Sequence, residues 1–290
     1  MKRFLSLCLA AALCLALAGC ASSEKQELKA ALDEANGYTT VDYTMDDGTT
    51  LEQTVIYDKN GILVTALGVK GDTDSGRLWL RMENSTSDEV TLWTDSVQVN
   101  GWEMDSVLWM KVSKNSMGRE YVSFYPEDAG LDLDSIQTIT LDCELQDGDY
   151  NTIDTFTATL ETSAYTGQLA DEELSEDVLY EGNGVTLTFG GVKQERYSSY
   201  GKLQFYVENT GSKSITLEGD EFQLSGGQEL EVSLYETVSA GAKKAFYVYI
   251  DQDDIYDPRT DAYEYFNEYD GETFDWTAFM PFTMKLAVYE

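Results

Sequence analysis

Residues 251–275 hold the side chains of this sequence that are best suited to chemistry. The segment contains ten acids and one base. Its first acids offer the oxygen ligands that Ca²⁺ prefers, since this hard cation is bound largely by carboxylates. Their spacing lacks the glycine and the final glutamate of an EF-hand loop, so calcium is only one interpretation of the pattern. The four carboxylates concerned are Asp251, Asp253, Asp254 and Asp257.

The same segment places aromatic side chains between its acids. Exposed rings stack on the apolar faces of sugars or on cations, while carboxylates accept hydrogen bonds. The segment is therefore a candidate site for a sugar or a cationic peptide. The alternative is that the rings pack against the protein and only the acids meet solvent. The candidate binding residues are Tyr256, Tyr263, Tyr265 and Tyr269, together with Asp251, Asp253 and Asp254.

The composition excludes several kinds of chemistry. The 290 residues include no histidine, which excludes Ser-His-Asp and Cys-His catalysis and histidine-ligated zinc. A formal net charge of −34 repels phosphate backbones, so we expect no nucleic-acid partner. The sequence contains no nucleophile elbow, phosphate-binding glycine loop or metal-spaced motif. We therefore expect no enzymatic activity and no cofactor; a glycan-processing enzyme with two carboxylates is the remaining catalytic alternative.

The first twenty residues have the pattern of an export signal. Lys2 and Arg3 precede an apolar run from Phe4 to Leu17, which is followed by small residues and Cys20. Charged, apolar and cleavage regions in this order are typical of a secretory signal peptide. The apolar run is shorter than the roughly 20 residues that a membrane-spanning helix needs.

The residues Leu17, Ala18, Gly19 and Cys20 resemble the lipobox of bacterial lipoproteins. The resemblance implies that residues 1–19 are a cleaved signal peptide and that Cys20 carries a diacylglyceryl group. Two acyl chains are what stable anchoring requires, because a single chain binds a membrane only marginally. We therefore expect the protein on the extracytoplasmic face of the cell membrane, with residues 20–37 as a tether.

Cys143 is the only cysteine beyond this anchor. It lies in the segment 139–145, where apolar and polar residues alternate, and it falls on the apolar side. The position predicts a buried small side chain rather than a reactive thiol.

From Tyr38 onward the sequence has β character and contains an internal repeat. Residues 57–70 match residues 180–193 at an offset of 123, with seven identities in fourteen positions. The match resumes at an offset of 125, where residues 78–84 face residues 203–209. It continues with residues 121–125 against 246–250, and at an offset of 145 with Ile139, Leu141 and Cys143 against Met284, Leu286 and Val288.

A repeat of about 120 residues with short alternating strands has the size of a β-sandwich. We predict an all-β protein with two tandem immunoglobulin-like β-sandwich domains. Alternation should bury one face of each strand, for example Leu78, Leu80 and Met82, and expose Arg81 and Glu83. The predicted domains are residues 38–162, beginning with an N-terminal hairpin, and residues 179–290, which carry the insertion 251–275. Residues 163–178 form an acidic linker between them.

These segments resemble the tandem immunoglobulin-like, telokin-like domains of lipoproteins from Gram-positive bacteria, a group mostly without assigned biochemistry. The likeness rests on residues 58–62, the strand end 82–85, the turn 99–101 and the run 136–159. It implies a fold and supplies no catalytic residue. Repeat two departs from repeat one by having Ser225-Gly226 in place of Asn100-Gly101.

The alignment predicts an incomplete sheet in repeat two. It reaches Glu290 opposite Leu145, so repeat two shows no counterpart of residues 154–160, the last strand expected in repeat one. A sheet without that strand has an uncovered edge that accepts a strand from a partner. Pairing of this edge with the insertion or the N-terminal hairpin would remove it.

Taken together, the sequence predicts a lipid-anchored envelope protein that acts as a binding or scaffold module without catalysis. Its expected partners are the membrane, through Cys20, and an envelope protein or glycan. The alternative is a ligand receptor that uses residues 251–275 for a sugar, a cationic peptide or calcium. Exposed tyrosines in that segment would favour the receptor, and buried ones the scaffold.

Overall fold

The computed structural model describes residues 43–169, 178–194, 200–223, 229–230, 234–251, 256–257, 262–263 and 283–289. These residues belong to one compact unit and are almost entirely β-structure, with one short 3-10 helix at Glu127–Ala129. None of the described helices is long and apolar enough to cross a membrane. The strands are β1 (Thr54–Lys59), β2 (Ile62–Gly71), β3 (Gly76–Asn84), β4 (Val90–Val99), β5 (Trp102–Val112), β6 (Ser116–Phe124), β7 (Thr138–Asp147), β8 (Thr152–Glu161), β9 (Val178–Gly182), β10 (Val185–Gln194), β11 (Tyr200–Asn209), β12 (Ile215–Gln223), β13 (Glu229–Leu230), β14 (Leu234–Val238), β15 (Lys243–Asp251), β16 (Tyr256–Asp257), β17 (Ala262–Tyr263) and β18 (Thr283–Tyr289).

Strands β1 to β8 form a two-layer β-sandwich, which we call repeat one. One layer has the strand order β1-β2-β3-β6 and the other has β8-β7-β4-β5. The two non-local pairs, β3 with β6 and β4 with β7, lie in opposite layers. This Greek-key pairing is that of immunoglobulin-like sandwiches, with β5 in the place of strand C′. The prediction of an all-β sandwich fold is confirmed.

Strands β9 to β18 repeat this arrangement as repeat two. Its first layer has the order β9-β10-β11-β15. In the second layer β12 pairs with β18, and β13 and β14 pair with successive parts of β12, where repeat one has the single strand β5. Strand β18 takes the position of β7. No described strand takes the position of β8.

The first hairpins of the two repeats share their turn and their bulge. In the Asn60-Gly61 turn the two φ values are 54° and 78°. In the Asn183-Gly184 turn they are 53° and 78°. Two positive φ values are what a type I′ hairpin turn requires, and Asn-Gly adopts them at the lowest cost. Each second strand then bulges just before a glycine, Gly68 or Gly191. The repeat found in the sequence is therefore also a repeat of backbone conformation.

Strand pairing corrects the sequence alignment of β6 with β15. Leu80 pairs with Glu120 in repeat one, whereas its equivalent Phe205 pairs with Phe246. The offset here is 126, so the predicted match of residues 121–125 with 246–250 was wrong by one residue. The physical difference matters, because a shift of one residue exchanges the two faces of a strand.

The pairing also corrects the alignment of β7 with β18. Leu145 pairs with Leu92, and Val288 pairs with Leu217. The offset is 143 and not 145, so Cys143 corresponds to Leu286 and not to Val288. A shift of two residues keeps the inward and outward sets unchanged, which explains why the hydrophobic pattern did not reveal the error.

Each repeat encloses its own hydrophobic core. Leu78, Leu80 and Met82 have no exposed surface in the core of repeat one, as the alternation predicted. Leu187 and Phe205 lie in the corresponding core of repeat two. The predicted domain bounds themselves stay a prediction, because residues 1–42 and 170–177 lie outside the described residues.

Two sequence predictions about single side chains have opposite outcomes. Cys143 is buried, and burial together with the charge of Asp142 raises its thiol pKa to about 12, which confirms the packing interpretation. Arg81, expected to be exposed, is only 5% exposed, with its Nε 3.4 Å from Glu83 Oε1. That expectation was wrong because it assumed that no other side chains cover the outer face of β3.

A buried asparagine ties three strand ends together in each repeat. The Asn84 side-chain amide donates to the carbonyls of Asp88, Val112 and Ser113, at 2.7, 3.1 and 3.3 Å, and its oxygen accepts from the Thr86 amide. Asn209 repeats the pattern with the carbonyls of Lys213, Val238 and Ser239 and the amide of Gly211. Both residues are 1% exposed. Because the same hydrogen-bond geometry occurs in both repeats, we infer a structural role for the two asparagines.

We expect Asn84→Ala to lower the free energy of unfolding by about 2–3 kcal/mol, because it leaves buried carbonyls without donors. Urea denaturation of the full chain measures the change. Lys114→Ala, an exposed neighbour in the β5–β6 turn, should change stability by less than about 0.5 kcal/mol. Equal effects of the two substitutions would contradict the role given to Asn84.

Candidate functional site

The two repeats meet where the edges of two layers pair with each other. Lys243 and Lys244 of β15 run parallel to Trp102 and Glu103 of β5, and the Lys243 amide donates to the Gly101 carbonyl at 3.0 Å. This short parallel pairing joins β8-β7-β4-β5 and β15-β11-β10-β9 into one eight-stranded sheet. Two sheet edges that would otherwise be open thereby cover each other.

Aromatic packing supports this pairing. Trp102 is 1% exposed, and its ring lies 5.8 Å from that of Tyr206, nearly edge to face. The ammonium of Lys243 lies 5.7 Å from the centre of the Trp102 ring, within the range of a cation–π contact. The junction therefore combines backbone pairing with a buried indole.

The 3-10 turn of repeat one forms the second part of the junction. Gln204 is 1% exposed, and its side-chain amide donates to the carbonyls of Ala129 and Gly130 at 3.0 and 3.2 Å. Gly130 has φ 73°, and a Cβ placed on it would clash with the Tyr247 hydroxyl and with Gln204. The absence of a side chain at Gly130 lets repeat two approach this closely.

A charged cluster lies at the mouth of the junction. The ammonium of Lys244, a 7% exposed residue, is 2.9 Å from Glu236 and 3.1 Å from Asp105. Burial lowers the pKa of Lys244, but the hydrogen bonds and charges of Glu236 and Asp105 outweigh burial and leave it above its ordinary value. Glu103, also 7% exposed, accepts a hydrogen bond from the Ser239 amide at 2.8 Å. Each buried charge here has a partner.

Two adjoining cavities open beside this cluster, and we call them together the junction cleft. They have volumes of about 430 and 270 Å³ and share Asp105 and Tyr125. The larger cavity is lined by β4–β6 of repeat one. The smaller cavity lies between the repeats. The lining residues that carry the argument below are Asp95, Tyr121, Tyr125, Asp128, Glu236 and Tyr249.

The junction cleft combines carboxylates with exposed aromatic rings. Among the described residues that line it, five are acids and only Lys244 is a base. Tyr125 is 44% exposed and Tyr249 is 56% exposed, so both rings can be reached from solvent. Rings beside carboxylates attract cations, since the ring face and the carboxylate both carry negative potential.

Most of the site residues predicted from the sequence lie where their geometry is not described. Leu17, Ala18, Gly19 and Cys20, and also Asp253, Asp254, Tyr265 and Tyr269, fall outside the described residues. For the remaining four the structure gives backbone pairing only. Asp251 ends β15, and Tyr256-Asp257 pairs with Ala262-Tyr263 as the hairpin of β16 and β17. The described residues contain no group of three or more acids or cysteines able to hold a metal ion.

Sequence reasoning missed the junction cleft because its residues are scattered through both repeats. Single acids such as Asp95, Asp105 and Asp128 carry no signal in a chain with 53 acids. Their meeting with Glu236, Lys244 and Tyr249 of repeat two depends on the β5–β15 pairing, which no local sequence pattern predicts. The cleft and the predicted segment are nevertheless adjacent in the chain, since only Ile250 lies between Tyr249 and Asp251.

Comparison with known proteins assigns this chain to no family and to no function. No protein-family model and no curated protein matches the sequence. The YadV chaperone has 10% identity and a TM-score of 0.24, covering 65% of this chain and 85% of its own. The CsuC-CsuE chaperone–tip adhesion subunit complex of Acinetobacter baumannii has 12% identity and a TM-score of 0.18, and the match covers 62% of this chain and 81% of the matched chain. The exo-chitosanase CsxA of Amycolatopsis orientalis has 12% identity and a TM-score of 0.21, covering 61% of this chain and 23% of its own.

We expect Gly130→Ala to loosen the junction and lower the free energy of unfolding by about 2–4 kcal/mol. The substitution adds a clash with Tyr247 and Gln204 to the strain of a positive φ. Gly167→Ala is the matched control, because Gly167 has φ 96° and open space around it, and should cost about 1 kcal/mol. Urea denaturation compares them, and equal costs would mean that the contact across the junction contributes nothing.

Proposed function

We propose that this protein is a lipid-anchored binding module of the cell envelope that presents two immunoglobulin-like sandwiches joined through one shared sheet. The proposal of an anchor rests on Lys2, Arg3, the apolar run and the lipobox ending at Cys20. A telokin-like, Gram-positive lipoprotein origin belongs to the same proposal. The excess of acids suits a position at a membrane surface, because an anionic leaflet repels the folded part and keeps it facing outward.

The junction cleft is the binding site of this proposal, and a cationic peptide or amine is its ligand class. The single observation that carries it is the meeting of five carboxylates and solvent-accessible tyrosine rings in two adjoining cavities, one on repeat one and one between the repeats. Carboxylates supply charge and hydrogen-bond acceptors, and the rings supply cation–π contact. Binding requires no covalent step, so the proposal is not enzymatic.

The segment 251–275 follows the cleft-lining strand β15 directly in the chain. Tyr247 and Tyr249 of β15 line the cleft, and β15 ends at Asp251, where that segment begins. The sugar and calcium alternatives stay proposals for that segment, beside the cationic ligand proposed for the cleft. The experiment on the cleft separates them by the probe used.

We expect Cys20→Ala to abolish lipid attachment. Without the thiol there is no acceptor for the diacylglyceryl group, so the chain should lose labelled acyl chains and stay uncleaved. Metabolic labelling with a radioactive fatty acid in a bacterium that processes lipoproteins measures this, and Cys143→Ala is the matched control. Labelling that persists in the Cys20 variant would contradict the anchor.

We expect tetralysine to bind the full chain in detergent micelles and to bind more weakly as salt is raised. Tyr125→Ala should weaken binding roughly threefold, since a partly exposed cation–π contact is lost. The double variant Asp95→Asn, Asp128→Asn should weaken it further by removing two lining carboxylates. Isothermal titration calorimetry provides the dissociation constants.

Two matched controls locate the site. Tyr235→Ala removes a 66% exposed tyrosine outside the cleft, and Asp132→Asn with Asp134→Asn removes two exposed carboxylates outside it. Tyr235→Ala should leave the affinity for tetralysine unchanged. The Asp132→Asn, Asp134→Asn variant should lower the affinity only as much as the loss of two charges outside the cleft does, and so less than Asp95→Asn with Asp128→Asn. Binding of neutral cellotetraose or of Ca²⁺ in place of tetralysine would overturn the ligand class proposed for the cleft.

A further inference from the structure

Strand β18 has a backbone partner on only one side within the described residues. It pairs antiparallel with β12, from the pair of Thr216 and Tyr289 to the pair of Gln223 and Thr283. No described strand pairs with its other side. The backbone amides and carbonyls of that side form the kind of edge that pairs readily with another strand.

Repeat one shows which structure belongs at this edge. There β7 takes the position of β18, and β8 pairs with its outer side over nine residue pairs from Thr138–Glu161 to Gln146–Thr152. Strand β8 alternates: Ala158 and Leu160 are buried in the sandwich, while Thr157 and Thr159 are exposed. The strand that fits the β18 edge therefore has small or apolar residues at every second position.

Burial agrees with an outer side of β18 that no described strand covers. Tyr57 is 4% exposed in repeat one, where its ring lies 4.8 Å from that of Phe156 in β8 and its hydroxyl donates to Asp154. Its equivalent Tyr180 is only half-buried. Likewise Leu145 has no exposed surface, whereas its equivalent Val288 is half-buried. Both positions correspond to residues of repeat one that lie next to β8.

The register also indicates the charge of the fitting strand. In repeat one Asp142 pairs with Thr157, whose hydroxyl donates to its carboxylate at 2.5 Å. At the offset of 143, Lys285 takes the place of Asp142. A strand with a carboxylate at the Thr157 position thus suits repeat two better than one with a base there, because opposite charges on paired strands attract.

We propose that the outer edge of β18 binds an extended segment of a partner protein, in the position that β8 occupies in repeat one. The segment carries apolar side chains at the Phe156, Ala158 and Leu160 positions and an acid opposite Lys285. A second copy of this chain is a poor occupant, since each copy carries a net charge of −34. The edge lies outside the junction cleft, so the two binding functions succeed or fail separately.

A synthetic peptide with the sequence of residues 152–161 tests the proposal on the full chain in detergent micelles. Amide hydrogen exchange of Thr283–Tyr289 should be fast at alternate positions in the free chain and slow when the peptide is added. The Thr157→Glu peptide should bind roughly threefold more tightly than the Thr157→Lys peptide, and Lys285→Glu in the protein should reverse that order.

Matched variants test the packing part of the contact. Tyr180→Ala in the protein, or Phe156→Ser in the peptide, should weaken binding roughly fivefold by removing one aromatic partner. Tyr235→Ala, an exposed tyrosine of β14, should leave binding unchanged. Equal effects of Tyr180→Ala and Tyr235→Ala would overturn the assigned groove.

Several results would overturn the proposal outright. Slow exchange at every amide of β18 in the free monomer would mean that this chain already covers the edge. Protection that rises with protein concentration would assign the edge to a second copy. Protection of β7 in place of β18 would mean that the peptide displaces β8, and no protection at all would mean that the edge binds no such strand.

Discussion

Sheet edges must be covered, and in this protein the covering of two edges determines the arrangement of everything else. Each repeat is a pair of three- or four-stranded layers, and a layer of that size leaves two rows of backbone amides and carbonyls unpaired. Strands β5 and β15 satisfy part of that demand by pairing with each other. Because these strands belong to different layers of different repeats, their pairing brings the 3-10 turn of repeat one against β11 and creates the smaller cavity of the junction cleft.

The same junction buries charge, and burial of charge selects one arrangement. Taking Lys244 from water is unfavourable unless its ammonium is paired. Glu236 comes from repeat two and Asp105 from repeat one, so the ammonium has both partners only when the repeats are docked. Asp105 remains largely exposed, with 88% of its side-chain surface open, and its contribution is accordingly screened by solvent. The cluster therefore specifies the docking geometry more than it adds stability.

The sequence allowed the fold to be predicted because hairpin chemistry and alternation are local signals. Asn60-Gly61 and Asn183-Gly184 determine the same turn in both repeats, and Leu78, Leu80 and Met82 identify the inward face without any knowledge of their partners. Register across non-local pairs is a different matter. The two-residue error in β18 went unnoticed because a shift of two residues leaves the alternation of a strand intact. The one-residue error in β15 exchanged inward and outward positions, and it arose because the offset of the earlier strands was carried across the loops before β15. The cleft was beyond prediction for the same reason, since it depends on which non-local edges meet.

The two repeats cover the corresponding outer face of their first layer with different residues. In repeat one the outer face of β3 and β6 carries Trp79 and Tyr121, whose rings lie 4.9 Å apart, with Tyr43 against Trp79. By register the corresponding residues of repeat two are Gln204 and Tyr247, and they pack against the turn at Ala129-Gly130. A face that repeat one covers with residues preceding β1 has become, in repeat two, the surface that binds repeat one. The edge of β18 is a second difference between the repeats, because no described strand pairs with it as β8 pairs with β7.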